Sequence, residues 1–306
     1  MIDPFFIERP ALVSFSGGRT SAYMLWRILR AYGGALPGDV RVAFANTGKE
    51  REETLRFVHE CAARWGVNVV WLEWKSRRKR TPLTERFDTV GYNSASRNGE
   101  PFAALIADKK YTPNGVSRFC TEHLKVQVMM DYMESLGYGK YYNIVGLRAD
   151  EMRRAAKVDS RNDDPKAKCE TILPLVRAGI RKEDVTRFWH GDFSNYESVE
   201  RQRGGDFSHL PQGFDLGLHG WEGNCDNCFL KGRKILLTQA SERPESFAWW
   251  IEQEGKAKGD FNKEFSYASI LDDVEKQVPL FGNDVEFDSE CGVSGVDHHI
   301  RCGSLA

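Results

Sequence analysis

The chain has 306 residues, with 43 Lys and Arg against 44 Asp and Glu and a formal charge of −1. This length suits one large domain or a core with a smaller region, 41% apolar content argues against general disorder, and the balanced charge gives no global reason for a polyanion partner. No apolar run approaches the ~18–20 residues of a membrane span, and Met1–Pro10 carries acids where a signal peptide carries bases, so a cytoplasmic protein without membrane contact is expected.

Ala11–Phe15 is an apolar run of strand length, broken at Ser16-Gly17-Gly18. A helical pattern follows from Thr20, with apolar positions Tyr23, Met24, Trp26, Ile28 and Leu29, and stops at Gly33-Gly34. Arg41–Ala45 predicts a second strand, ending at Asn46-Thr47-Gly48. Glu50–Trp65 predicts a second helix, with Leu55, Val58, Ala62 and Trp65 at steps of three and four. Val67–Leu72 follows as a third strand. This β-α-β-α-β order predicts a Rossmann-like α/β fold, a parallel sheet with helices on both faces.

The middle is less regular. Lys75–Arg80 is a basic run expected to form a loop. Pro101–Asp108 and Thr121–Leu136 read as helices, and Asn143–Leu147 as a strand. Arg153–Lys168 is charged and poor in apolar residues, so a mobile loop is expected. Ile172–Leu175 reads as the last strand and Arg181–Trp189 as a short helix. Beyond about Gly191 the alternation stops, leaving helical material from Lys231 to Glu254 and a polar tail. The expected organisation is an α/β core over 1–190. A smaller, irregular and helical C-terminal region over 191–306 carries a CxxC and a cysteine-containing tail.

Ser16-Gly17-Gly18-Arg19-Thr20-Ser21 lies between a strand and a helix N-terminus. Glycines there admit a phosphate close to the backbone, the helix start aims free N–H groups at it, and Ser, Thr and Arg19 add donors and charge. The same residues also suit a plain tight turn with an N-cap. Neither the Walker P-loop ending nor the GxGxxG spacing is present.

The run SFSGGRTS resembles the PP-loop of the adenine-nucleotide alpha-hydrolase-like superfamily, with Thr20 in place of its common Asp. Further segments resemble the phosphoadenosine-phosphosulfate (PAPS) reductase family, in order along about 12–190. They are Asn46-Thr47-Gly48-Lys49-Glu50 with Glu53-Thr54-Leu55, Arg118 to Lys125 (RFCTEHLK), Gly146 to Glu151 (GLRADE), and Leu173-Pro174-Leu175 with Asp184-Val185. The resemblance implies an adenine nucleotide or sulfonucleotide held by the PP-loop. Asn46, Thr47 and Gly48 would lie beside adenine and ribose, while Gly146 and Arg148 would face the anionic end. All these segments are expected at the carboxyl edge of the sheet, where open α/β folds bind ligands.

Seven cysteines, an odd number in a long chain, point to metal or redox chemistry rather than a disulfide framework. Cys225-Asp226-Asn227-Cys228 is a CxxC, and Cys120, at a predicted helix start that would stabilise a thiolate, is its best third partner. The family's iron–sulfur members hold a 4Fe–4S cluster with a Cys pair at this place and a downstream CxxC. Here Phe119 replaces one member of that pair, so Cys169, Cys291 or Cys302 is the candidate fourth ligand, or one iron stays open as in related enzymes that insert sulfur into tRNA. Zinc, a dithiol redox pair and plain buried thiols are the alternatives, and Cys61 is expected in the core. Glu290-Cys291-Gly292 resembles the C-terminal motif of sulfonucleotide reductases, which implies Cys291 as the nucleophile on sulfur and a thiol electron donor such as thioredoxin.

The basic run suits either a solvated loop or a site for nucleic acid. Tyr141-Tyr142 and Trp249-Trp250 are expected in the core or an interface. The sequence thus favours a sulfonucleotide reductase. An ATP pyrophosphatase that activates a nucleic acid for sulfur insertion is the alternative, and a non-catalytic nucleotide-binding partner is a third possibility.

Overall fold

The computed structural model describes residues 3–77, 80–163, 167–191, 210, 212–223, 225–257 and 259–276. Six strands form one sheet: β1 (Ala11–Ser14), β2 (Val40–Asn46), β3 (Val69–Trp74), β4 (Phe87–Val90), β5 (Tyr141–Val145) and β6 (Cys169–Ile172). Their order is β4-β3-β2-β1-β5-β6. All pairings are parallel except β3 with β4. The chain order reverses between β1 and β5, so the switch point of the sheet lies there.

The strands read as nearly continuous apolar runs because both faces are covered, and side chains alternate between them. On one face, Val13, Val42, Phe44, Trp71 and Ile144 share a core with Met24 and Ile28 of α1 (Arg19–Ala31), Leu55 and Val58 of α2 (Glu52–Trp65), and Trp189 of a later helix, Lys182–His190. On the other, Leu12, Ala43, Ala45 and Leu72 pack on α3 (Glu100–Lys109) and α4 (Val128–Ser135). The C-terminal helices Arg233–Glu242, Ala248–Ala257 and Tyr267–Lys276 join this second core through Leu236, Trp250 and Ile270. Trp250 stacks on Tyr267 with centroids 5.0 Å apart. Among the described residues no helix is long and apolar enough to cross a membrane.

Four expectations need correction. The sheet carries an antiparallel edge strand, β4, which has a single buried position, Phe87, and so too little periodicity to be read. Arg153–Lys168 is not a loop throughout, because α5 (Met152–Asn162) occupies most of it. Two apolar residues three apart, Ala155 and Val158, suffice to seat that helix on Leu147 and Leu173. The last strand is Cys169–Ile172, and Pro174 opens a helical turn, Pro174–Arg177, where its missing N–H costs nothing. Part of the expected polar tail is helical, at Tyr267–Lys276.

Candidate functional site

The glycine loop is shaped by contacts within itself. The Ser21 hydroxyl donates to the Gly18 carbonyl at 2.9 Å, accepts the Ser16 N–H at 3.2 Å and lies 2.9 Å from the Ser16 hydroxyl. Gly17 has φ +79°, and a Cβ there would stand 2.7 Å from Thr54 Cγ2, so glycine also lets α2 close on the loop. Gly18 is the N-cap of α1, with no side-chain capping bond and no acid in the first turn. The positive end of α1 is therefore not neutralised by its own sequence.

Arg19, expected to lend charge to a phosphate, is instead committed to Asp215. Its Nε donates at 2.7 Å and its Nη2 at 2.5 Å to the two carboxylate oxygens. Asp215 is fully buried. Burial alone raises its carboxyl, but the charge and hydrogen bonds of Arg19, with His190 and the Gly217 N–H, hold it below the usual carboxylate range.

Thr20 links the loop to the other side of the switch point, since its hydroxyl accepts from Arg148 Nη1 at 3.2 Å. Gly146, one residue beyond β5, passes so close to the loop that a Cβ would sit 3.2 Å from Ser21 Cα. Arg148 also donates to Asp150 at 3.2 Å and lies 3.7 Å from Glu151. Ser16 to Ser21, Gly146 and Arg148 therefore meet in space.

The turn after β2 is an internal brace. Asn46 is fully buried, donates to Glu73 at 2.6 Å and to the Ser96 carbonyl at 2.9 Å, and accepts the Gly48 N–H at 3.1 Å. The Thr47 N–H and hydroxyl both donate to Glu50 Oε2 at 2.8 Å. Gly48, at φ +76°, leaves room for the Gly99 backbone, where a Cβ would meet Gly99 Cα at 3.0 Å. The side chains of Asn46 and Thr47 are spent on this network.

The CxxC turn docks on the same strand end. Cys225 forms an isolated antiparallel bridge with Glu50, its Sγ lies 3.5 Å from Thr47 Oγ1 and 3.9 Å from Glu50 Oε1, and the Asp226 N–H donates to the Lys49 carbonyl at 2.6 Å. Tyr267 fastens the turn from behind, donating to the Asn227 carbonyl at 2.5 Å. A buried ion network holds it from the side. Arg51 donates to Glu222 at 2.6 Å and stands 4.0 Å from Asp226, which also pairs with Arg243 at 2.6 Å. Asp226 lies below the usual carboxylate range because Arg243 and Arg51 outweigh its burial.

Cys120, Cys225 and Cys228 lie in one group of packed side chains. Burial first, and then the charge of Cys225, pushes the Cys120 thiol up to about 12. The expected stabilisation of its thiolate by a helix start is thereby overturned, because desolvation exceeds the help of the Thr121 N–H and of nearby Lys125 and Arg118. A π-helical segment, Glu122–Gln127, follows Cys120, a form common at functional sites. Three thiols are a donor set suited to an iron–sulfur cluster or zinc. Among the described residues, however, no three His, Cys, Asp or Glu side chains are arranged around one point as a single metal ion requires.

Cys169 opens β6 in register with Tyr141, the first residue of β5, at the amino edge of the sheet. It is thus removed from the thiols at the carboxyl edge and is no fourth ligand. Cys61 is buried in the core, as expected, with its thiol raised well above normal by desolvation. Cys291 and Cys302 lie outside the described residues.

The basic run is partly neutralised. Lys75 pairs with Asp88 at 3.0 Å, and Arg77 with the buried Asp131 at 2.6 Å. Tyr141 and Trp250 are core residues, while half-buried Trp249 covers Lys49. The sequence reading missed Glu73, Asp131, Asp215 and Glu222. Their only signal is that each is an acid near an apolar run, which does not distinguish a buried acid from a solvated one.

No protein-family model matches the chain. An uncharacterised nin-region protein of Escherichia phage lambda is 29% identical over 236 residues, covering 76% of this chain and 70% of that protein. An uncharacterised protein of Methanocaldococcus jannaschii is 28% identical over 153 residues, covering 49% of this chain and 25% of that protein. Neither name carries an activity.

Proposed function

We propose that the chain is an adenine-nucleotide-binding enzyme of the PAPS reductase type, acting on sulfur. The observation that carries this reading is the meeting of the glycine loop with Gly146 and Arg148 at the switch point between β1 and β5. Open parallel sheets bind nucleotides at such a place, and the uncapped start of α1 suits an anion. The CxxC turn on the neighbouring strand end brings thiols to the same edge.

In this reading the glycine loop holds the phosphate side of adenylyl sulfate or its 3′-phosphorylated form. The Cys291 thiolate attacks sulfur, the S–O bond to the nucleotide breaks, and the nucleoside monophosphate leaves. An external thiol such as thioredoxin then attacks the cysteine sulfur, releasing sulfite and leaving a disulfide. Cys120, Cys225 and Cys228 would hold a 4Fe–4S cluster, which would supply electrostatic or redox chemistry beside the sulfur. The test is sulfite release from adenylyl sulfate with a thiol donor, by anaerobically prepared protein analysed for iron, sulfide and zinc. Sulfite release should vanish in Cys291→Ser, and full activity in that variant would refute the mechanism.

A second reading is favoured by Phe119. At the place of the second cysteine of the family's pair, it is buried and packs edge-on against Tyr111 at 5.0 Å. The local set then holds three thiols and leaves one iron open, as an ATP-dependent sulfur insertion into nucleic acid would use. Pyrophosphate release from ATP, stimulated by tRNA or DNA, distinguishes this reading from the first.

A further inference from the structure

Most basic side chains at the carboxyl edge have acidic partners. Arg19 has Asp215, Arg51 has Glu222, Lys125 has Glu50, Arg148 has Asp150, and Arg243 has Asp226. Two do not. Lys49 is 9% exposed, and among the described residues its ammonium meets no carboxylate within ion-pair distance. It lies 4.9 Å from the centroid of the Trp249 ring. Arg118 has a buried Nε with no hydrogen-bond partner, and its guanidinium forms no ion pair among the described residues.

Both flank the thiols. The Lys49 carbonyl accepts the N–H of Asp226 inside the CxxC turn. Arg118 precedes Cys120 by two residues and is close enough to act on its thiol. A buried cation with no counter-ion is costly, and the face of one indole offsets that only in part. Gly99 is shaped around this pair. A Cβ there would stand 2.6 Å from the Trp249 ring and 2.9 Å from Lys49 Cδ. The lysine stem is thus clamped between the two.

We infer that Lys49 and Arg118 form an oxyanion subsite beside the thiols, which takes a tetrahedral sulfate-like or phosphate-like group. The ammonium is a compact charge and the guanidinium a planar fork, a combination that suits such a group. Assigning that group to a sulfonucleotide rests on the proposed function; binding of an oxyanion does not.

Calorimetric titration of the full chain with sodium sulfate, adenylyl sulfate, ATP and adenosine tests this, with Lys49→Gln, Lys49→Arg and Arg118→Gln. Loss of either charge should weaken sulfate and adenylyl sulfate about tenfold or more. Adenosine binding should not change, and Lys49→Arg should recover part of the loss. Thermal melts identify any variant that fails to fold, and Lys49→Gln carries the test if Arg118→Gln does. Unchanged sulfate affinity in Lys49→Gln overturns the subsite. Sulfate binding that depends on Lys49, with no binding of adenylyl sulfate or ATP, supports the subsite and sinks the proposed function. A wild-type chain that binds none of the four defeats both.

Discussion

The glycine loop and the thiol turn sit on neighbouring strand ends but are built in opposite ways. The loop is closed by bonds between residues at most five apart, Ser16 with Ser21 and Ser21 with Gly18. The turn is held by partners far away in sequence, such as Arg51 with Glu222, 171 residues apart. The difference is one of energetic risk. A local loop keeps its shape while its helix and strand stand, whereas a buried ion network fails when one member is lost, because the remaining charge has no water to return to.

Substitutions break or sharpen this contrast, and the largest effect is expected in the network. Glu222→Ala leaves Arg51 buried without its closest partner and should cost about 3–5 kcal/mol in urea unfolding. A loss within the range of surface substitutions would mean that the network does not hold the turn. Asp215→Asn removes the long-range lock on Arg19 and should cost about 1.5–3 kcal/mol near neutral pH.

The same variant tests pH dependence. The folded carboxyl of Asp215 lies below its normal value. Its contribution is therefore present above the unfolded pKa of about 3.9 and lost as pH falls through the lower folded value. Wild-type stability should fall over that acid window, and Asp215→Asn should show a shallower fall. Equal slopes would remove Asp215 from the account.

In the loop itself, Gly17→Ala forces a positive φ on alanine and drives its Cβ into Thr54, for about 1–3 kcal/mol. A neutral result would show that the loop and α2 are not closely packed. Smallest of all, Lys75→Ala breaks an exposed pair with Asp88 and should cost under about 1 kcal/mol. A larger loss would mean that the basic run has a structural role beyond Arg77.

The sequence was legible where the controlling contacts are near neighbours. Alternating strands and helices, the turn at Gly17 and the stop at Gly66 follow from periodicity and backbone freedom. Charged residues were misread in both directions. Arg19 looked like a ligand residue and is tied to Asp215, while Arg153–Lys168 looked like a loop and is largely helix. Charge shows where a side chain can pay for burial only once its partner is known.

By itself, then, the sequence determined the order of elements, the parallel core and the glycine turn, because these depend on propensities within a few residues. Only the tertiary structure decided that β4 runs antiparallel, that Cys169 lies on the far edge from Cys225, and that Lys49 is buried beside Trp249. Those outcomes depend on distances between residues far apart in the chain. Coulomb and packing energies follow separation in space, which spacing in sequence does not set.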